Sequence, residues 1–181
     1  VDPGEEAARI IDYIEKKDLK PVAILLTHGH FDHIGAVADL VDRTGCEVYI
    51  HIMDKPKLTD DAGMLANLFR IRGHRNYTGK VNVFTEDDIL KLDELEFDVL
   101  ETPGHTSGCG SYIFDDTIIS GDTLFCESYG RTDFPTGDDA EMAKSIRKLK
   151  NLEGDYRVIP GHGPTTTLDH ERKYNPLMRI L

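Results

Sequence analysis

The first part of the chain alternates between helical and extended hydrophobic patterns. Asp2 and Pro3 are typical of an N-cap and a proline in the first helical turn. Ile10, Ile11 and Ile14 then recur at helical spacing, which predicts a helix that ends near Lys17. The apolar run "VAILLT" follows a proline and predicts the first strand.

A second helix and a second strand follow this run. In "HIGAVADLVDRTG" the apolar positions share one helical face, and the glycine at its end predicts the helix C-terminus. "EVYIH" predicts the next strand. Residues 52–80 have an ambiguous pattern, in which "AGMLANLF" predicts a short helix inside a long loop.

From Val81 onward, short extended runs separated by turns dominate the pattern. "ILKL" and "LEFDVLET" flank an Asp-Glu turn, and "SYIF" and "TIIS" flank an Asp-Asp turn, so two hairpins are predicted. "DDAEMAKSIRKLKNL" predicts an amphipathic helix, and "YRVIP" predicts a last strand before a short tail. Without repeats or a linker, residues 1–181 predict one α+β domain with two sheets and helices outside them.

Four apolar runs end directly at a potential metal ligand. "ILLT" leads into His28 and His30, "FDVLETPG" into His105, "TIISG" into Asp122, and "RVIPG" into His162. Side chains at the ends of several strands can converge on one rim of a scaffold. The pattern therefore predicts one site built from several strand ends.

The number of candidate ligands predicts two ions. In an extended segment His28, His30 and Asp32 share a face, whereas His33 points elsewhere and can serve a neighbouring ion. Five imidazoles and two carboxylates are too many for one tetrahedral zinc, but two ions about 3.5–4 Å apart that share a carboxylate and a water would use all of them. Nitrogen and oxygen ligands suit Zn, Fe or Mn.

Some of these residues also have ordinary structural interpretations. Asp32 is suitably placed to cap a helix that begins at His33, and Asp122 is suitably placed for an Asx-turn after a glycine. The other histidines, which lack companions in the sequence, are predicted to be ordinary surface or core residues: His51, His74 and His170.

Charge and cysteine content narrow the class of protein. The formal net charge of −12, from 21 basic and 33 acidic residues in 181, disfavours nucleic-acid binding. No apolar run approaches the roughly 18 residues of a membrane span. Cys46, Cys109 and Cys126 are an odd number without metal-binding spacing, which favours a reducing compartment, so we expect a cytoplasmic protein.

Several motifs resemble one family. "THGHFDH" resembles the T-H-x-H-x-D-H signature of the metallo-β-lactamase-fold hydrolases, and "PGHTSG", "SGDTLF" and "PGHG" resemble its later motifs in the same order. "SYGRTDFPTGD" and "PGHGPTTTLDHERKYNP" are similar to the short bacterial glyoxalase-II-like, or hydroxyacylglutathione hydrolase-like, branch. The resemblance implies a four-layer αββα sandwich with the site at the edge between its sheets. Since the family has strands before "VDPG", it also implies an N-terminally incomplete domain.

The resemblance also implies how two divalent ions are bound, with Zn expected and Fe or Mn as alternatives. One ion is held by His28, His30 and His105, the other by Asp32, His33 and His162, and Asp122 bridges both. Asp32 and Asp122 are the implied catalytic carboxylates. Arg131 and Tyr129 are candidate substrate contacts, although Arg131 resembles a position with a structural role.

The implied reaction is hydrolysis of a small-molecule thioester such as S-lactoylglutathione, by attack of a metal-bridging hydroxide on the carbonyl. Four alternatives stay open. One is a persulfide dioxygenase with a single iron at His28, His105 and Asp122. Another is a lactonase or β-lactamase, although zinc β-lactamases often have Cys in place of Asp122. The others are a non-catalytic metal or electron-transfer module and, against the net charge, an RNA-processing nuclease.

One basic loop stands out in the acidic chain, and the sequence leaves its role open. The loop is expected to be solvated, with binding of an anionic substrate as the alternative. Its residues are Arg70, Arg72, Arg75 and Lys80. The sequence does not decide the oligomeric state.

Overall fold

The structure, a computed structural model, describes residues 1–71, 74–85 and 88–181. The chain forms two compact units, Val1–Phe84 and Thr85–Leu181. Each unit has its own apolar cluster. That the two act as the single domain predicted from the sequence stays a prediction.

The first unit is a parallel three-stranded sheet with helices in its connections. The strand order is β1-β2-β3, with Ala23 opposite Glu47 and Val48 opposite Val81. Its core includes Leu26, which is fully buried. The elements are α1 (Ala7–Lys16), β1 (Ala23–Leu25), α2 (Phe31–Ile34), α3 (Val37–Thr44), β2 (Glu47–His51), a 3₁₀ helix (Lys55–Leu58) and β3 (Val81–Phe84).

The first helix is confirmed, but the predicted cap is wrong. Ile10, Ile11 and Ile14 pack against the core of this unit. The helix begins at Ala7, so Asp2 lies outside it, and the Asp2 carboxylate accepts hydrogen bonds from Thr27 instead.

The second helix is divided into α2 and α3 at Gly35. A Cβ at this position would lie 2.2 Å from the carbonyl oxygen of Gly4, so only glycine fits here without a steric clash. Gly45 ends α3 in the left-handed conformation, as predicted, and "EVYIH" forms β2 over the predicted residues.

The helix predicted at "AGMLANLF" is wrong, since residues 61–70 form successive turns. Leu65 and Arg70 have φ values of 69° and 55°, and such left-handed residues interrupt a right-handed helix. Arg72 of the basic loop lies outside the described residues.

The second unit is a six-stranded mixed sheet with three helices. Both predicted hairpins are confirmed, as β4-β5 and β6-β7, and the sheet order is β11-β10-β7-β6-β5-β4. The strands of this sheet are β4 (Ile89–Leu92), β5 (Leu95–Glu101), β6 (Gly110–Phe114), β7 (Thr117–Gly121), β10 (Arg157–Pro160) and β11 (Thr166–Thr167). Two short strands, β8 (Leu124–Phe125) and β9 (Ser128–Tyr129), pair with each other in a separate two-stranded sheet. The helices are α4 (Asp139–Lys150), α5 (Leu168–Tyr174) and α6 (Pro176–Ile180).

Side-chain caps set the helix starts in this unit. Asp138 accepts hydrogen bonds from the backbone of Ala140 and Glu141 and begins the predicted helix α4. The tail, for which the hydrophobic pattern predicted no element, contains α5 and α6, which Thr167 and Asn175 cap in the same way.

The secondary structure is of the predicted α+β type. Among the described residues, no helix combines the length and the apolar character that crossing a membrane requires. The three cysteines are free thiols, and two of them, Cys46 and Cys109, are buried.

Candidate metal centre

Three buried imidazoles lie together directly after β1. His28, His30 and His33 are 0%, 3% and 2% exposed. The ring centroids of His28 and His33 are 4.0 Å apart, and His28 Nε2 lies 3.1 Å from His30 Nδ1. Asp32 lies inside α2, whose N-cap is His30, so the alternative of Asp32 as the cap of a helix starting at His33 is wrong.

Asp2 orients two of these histidines, His33 directly and His28 through Thr27. Its carboxylate accepts hydrogen bonds from the Thr27 backbone N–H (2.8 Å) and hydroxyl (2.7 Å). His33 Nδ1 lies 3.0 Å from the same carboxylate and donates to it, because an ionised carboxylate can only accept. The Nε2 of His33 then carries the lone pair that a metal ligand needs.

The hydrogen bonds between Asp2 and Thr27, called the Asp2–Thr27 relay below, also set the tautomer of His28. The Thr27 hydroxyl donates to Asp2, so its oxygen accepts from His28 Nδ1, which lies 3.1 Å away. The lone pair of His28 is thereby placed on Nε2.

A fully buried carboxylate, that of Asp54, holds the backbone between the histidines. Asp54 is fully buried, and its Oδ2 accepts a hydrogen bond of 2.8 Å from the N–H of Gly29. Its Oδ1 pairs with the ammonium of Lys57, which is 5% exposed. Sequence reasoning missed Asp54 altogether, because nothing in the local pattern connects it with Gly29, 25 residues earlier.

The second unit brings together the other three predicted ligands. Asp122 Oδ2 lies 3.5 Å from His105 Nε2 and 3.6 Å from His162 Nε2. These separations are long for hydrogen bonds. They match the distance of about 3.4 Å between two ligand atoms that bind one tetrahedral ion at about 2.1 Å. His105 and Asp122 are buried, whereas the side chain of His162 is 53% exposed.

The backbone of the neighbouring loop fixes the tautomer of His105. Its Nδ1 lies 2.7 Å from the carbonyl oxygen of Arg131, which can only accept. Nδ1 therefore carries the proton, and the lone pair of Nε2 faces Asp122. The loop approaches closely because residue 130 is glycine, where a Cβ would lie 1.8 Å from the carbonyl oxygen of Asp122.

The two predicted substrate contacts differ in their surroundings. Arg131 donates two hydrogen bonds of 2.6 Å to the carboxylate of Asp133, and its guanidinium lies 3.8 Å from the ring centre of Phe134. The hydrogen bonds from Arg131 hold the pKa of Asp133 below its usual value. Tyr129 is 39% exposed and has its ring available at the surface.

The remaining histidines have local partners. His51 is buried, accepts from the Met53 N–H at 3.3 Å and packs its ring against Phe84. His74 pairs with Asp61 at 3.0 Å. His170 pairs with Glu127, also at 3.0 Å.

The donor set fits divalent metal ions. Each unit contains a cluster of imidazoles with at least one carboxylate. The hydrogen bonds at the Nδ1 atoms of His28, His33 and His105 leave a lone pair on the Nε2 of each. Imidazole with carboxylate suits Zn, Fe and Mn alike, so the ligands do not identify the metal.

Comparison with known proteins agrees with this chemistry. A family model described as "Metallo-beta-lactamase superfamily" matches residues 1–162. The hydroxyacylglutathione hydrolase GloC of Haemophilus influenzae is 38% identical over 98% of this chain and 85% of its own length. A probable metallo-hydrolase of Streptococcus pyogenes serotype M6 is 39% identical over 97% of this chain and 78% of its own.

Solved structures show the same similarity. The crystal structure of BLEG-1 B3 metallo-beta-lactamase has a TM-score of 0.90 at 38% identity and covers 98% of this chain and 86% of that one. The crystal structure of TTHA1623 in a di-iron-bound form has a TM-score of 0.86 at 38% identity and covers 97% of this chain and 86% of that one. The crystal structure of ETHE1 from Myxococcus xanthus has a TM-score of 0.77 at 29% identity and covers 97% of this chain and 71% of that one.

The family model spans most of the chain, and both relatives exceed a third in identity over nearly its whole length. The chain therefore belongs to the metallo-β-lactamase superfamily, with the fold of that superfamily, and is one of its metallo-hydrolases.

Proposed function

We propose that this metallo-hydrolase cleaves a thioester of glutathione, of which S-lactoylglutathione is an example. The observation that carries the proposal is the 38% identity to hydroxyacylglutathione hydrolase GloC over 98% of the chain. We further propose that the chain binds two divalent ions, zinc in the first instance. The ligands are those of the sequence prediction: His28, His30, His105, Asp122, Asp32, His33 and His162.

When bound, such ions polarise the substrate carbonyl and lower the pKa of water. The residues of the chain orient the histidines and accept the protons that the reaction releases. The Asp2–Thr27 relay and the Arg131 carbonyl keep the Nε2 atoms of three histidines deprotonated. No strong general acid is needed at the leaving group, because a thiol with a pKa of about 8.5 leaves readily as thiolate.

The two carboxylates have separate proposed roles. Asp122 Oδ2 lies 3.5 Å from His105 Nε2 and 3.6 Å from His162 Nε2, and its proposed role is to take the proton of the collapsing tetrahedral intermediate. Asp32 has a partly exposed side chain, 3.9 Å from His33 Nε2, and accepts the proton of the attacking water.

Tyr129 is the stronger candidate for a substrate contact. Its ring is exposed, whereas the charge of Arg131 is already neutralised by Asp133. We expect Arg131 to act mainly through its carbonyl, which orients His105.

The test is a thioester panel with protein loaded separately with Zn, Fe and Mn. We expect metal-dependent hydrolysis of acyl-glutathione thioesters, and a loss of kcat of about 10²-fold or more in Asp122→Asn, since general acid–base groups contribute that much. Asp116→Asn is the matched control, because Asp116 is an exposed aspartate in the turn before the same strand. Turnover at the buffer rate with every metal would reject the thioester class.

A β-lactamase activity is the second candidate, since BLEG-1 B3 metallo-beta-lactamase is as similar in identity as GloC. Its amide leaving group, unlike a thiolate, requires protonation. Hydrolysis of a β-lactam with higher kcat/KM than any thioester would favour this candidate.

The third candidate function is that of a persulfide dioxygenase with one iron, and the similarity to ETHE1 is compatible with it. One iron per chain, together with oxygen uptake on glutathione persulfide, would support this candidate instead.

A further inference from the structure

A thiol, a carboxylate and an imidazole meet outside the seven ligands described above. Cys126 and Glu127 form the turn between β8 and β9, and His170 lies on α5. One potential ligand atom from each lies within 4.8 Å of those of the other two. His170 Nε2 and Glu127 Oε1 are 3.0 Å apart.

A buried network holds the turn against the helix. Glu171, next to His170, is fully buried, and its carboxylate accepts from the Glu127 N–H at 2.9 Å and from the Thr166 hydroxyl at 2.7 Å. Asn175, also fully buried, donates to Glu171 at 3.0 Å and to the carbonyl of Ser128 at 2.8 Å. The turn and α5 are therefore fixed to each other before any ligand binds.

This fixed arrangement lowers the cost of binding an ion, because the backbone that carries the three side chains is already held in place. The ring of His170 is also packed against Tyr174, with 4.7 Å between the ring centres. Cys126 is partly exposed, in contrast to the two buried cysteines.

We propose that Cys126, Glu127 and His170 form a second metal site, which takes a thiophilic divalent ion such as Zn²⁺. Thiolate, imidazole and carboxylate are all ligands that zinc binds in proteins, and three of them leave a fourth position for water. The thiol loses its proton to solvent when the ion binds, so no oxidant or reductant takes part. A thiolate distinguishes this site from the main centre, whose predicted ligands are nitrogen and oxygen only.

The first test replaces the bound metal of the protein by Co²⁺, because cobalt bound by a thiolate gives a sulfur-to-metal charge-transfer band in the near ultraviolet, whereas cobalt at the nitrogen and oxygen ligands of the main centre does not. We expect the band in the unmodified protein, its complete loss in Cys126→Ser and its loss in His170→Ala. Cys46→Ala, which removes a buried thiol, is the control and should keep the band. No band, or a band that persists in His170→Ala, would overturn the proposal.

The second test measures the rate at which a thiol reagent labels Cys126. Zn²⁺ in excess should slow labelling about tenfold or more, since a metal-bound thiolate is a weaker nucleophile. The protection should be lost in Glu127→Gln combined with His170→Ala. Equal rates with and without Zn²⁺ would contradict the site. Both tests are independent of hydrolysis, so an inactive enzyme would not affect them.

Discussion

At the scale of single residues, a carboxylate that is far from the histidines in sequence sets which ring nitrogen of two of them carries the lone pair for a metal ion. Asp2 is joined to His33 and, through the Thr27 hydroxyl, to His28. Such partners fix the tautomer and orientation of a ligand, and their removal commonly costs a factor of about 10–100 in metal affinity or activity.

Asp2→Asn is the variant that tests this relay. The amide presents a donor where the carboxylate accepts, so either Thr27 or His33 loses its partner. We expect metal affinity and kcat/KM to fall by about 10–100-fold, as measured by metal titration and thioester turnover. Glu5→Gln, a change at a nearby exposed carboxylate, should leave both values unaltered. Full activity in Asp2→Asn would show that the histidines orient without the relay.

The buried pair of Asp54 and Lys57 supports the same loop. Asp54→Ala leaves both the Lys57 ammonium and the Gly29 N–H without this partner in the interior. Removing one member of a buried pair typically costs about 3–5 kcal/mol. We expect the free energy of unfolding, measured by urea denaturation, to fall by this amount.

A double variant separates the charge from the hydrogen bond. Asp54→Leu with Lys57→Met removes both charges, so we expect it to recover much of the stability but not the activity, since Gly29 still lacks its acceptor. A double variant as unstable as Asp54→Ala would contradict the role of the pair.

At the scale of elements, strand ends and one helix position the candidate ligands. Asp122 directly follows β7, and His105 lies in the loop between β5 and β6. This loop is adjacent to α4, because the Asp138 N–H donates to the Gly104 carbonyl at 2.8 Å. Gly104 has a φ of 141°, and a Cβ there would lie 2.5 Å from the backbone of Met142.

Gly104→Ala therefore combines a strained φ with a clash against α4. We expect it to lower the free energy of unfolding and, because it displaces His105, to reduce metal affinity as well. Gly154→Ala is the matched control, since Gly154 also has a positive φ, 90°, but a Cβ added there would meet only open space. The control should show only the conformational cost of about 1–2 kcal/mol. Equal effects in both variants would show that the contact with α4 does not matter.

At the scale of the whole molecule, the ions are expected to contribute to stability as well as to chemistry. The chain carries a formal net charge of −12, and two divalent cations would reduce it. A ligand that binds only the folded state stabilises it by about 2.7 kcal/mol at a concentration of about 100 times its Kd.

Removal of metal by a chelator should thus lower the melting temperature, and Zn, Fe or Mn should restore it. The experiment is best done in Cys126→Ser, so that only the main centre contributes. The shift should shrink in the same protein with Asp122→Asn. An unchanged melting temperature after chelation, with metal loss verified by elemental analysis, would show that folding is independent of the ions.

The amphipathic helices and the two hairpins could be predicted because their signals are local. Ile10, Ile11 and Ile14 mark one face of α1, and the paired acidic residues mark the hairpin turns. The break at Gly35 could not be predicted, because it depends on the approach of Gly4, which lies 31 positions earlier. The turns at residues 61–70 likewise override a helical pattern.

The family and the candidate ligands follow from the amino-acid sequence alone, because the metal-binding residue types stand in fixed spacing at the ends of apolar runs. The atoms that hold those ligands in place are visible only in the folded chain. Asp2, Asp54 and the Arg131 carbonyl act through hydrogen bonds between positions 25 to 31 residues apart, and these depend on how the chain packs. Side-chain periodicity reports only which face a residue occupies, and contacts at that sequence separation leave no trace in it.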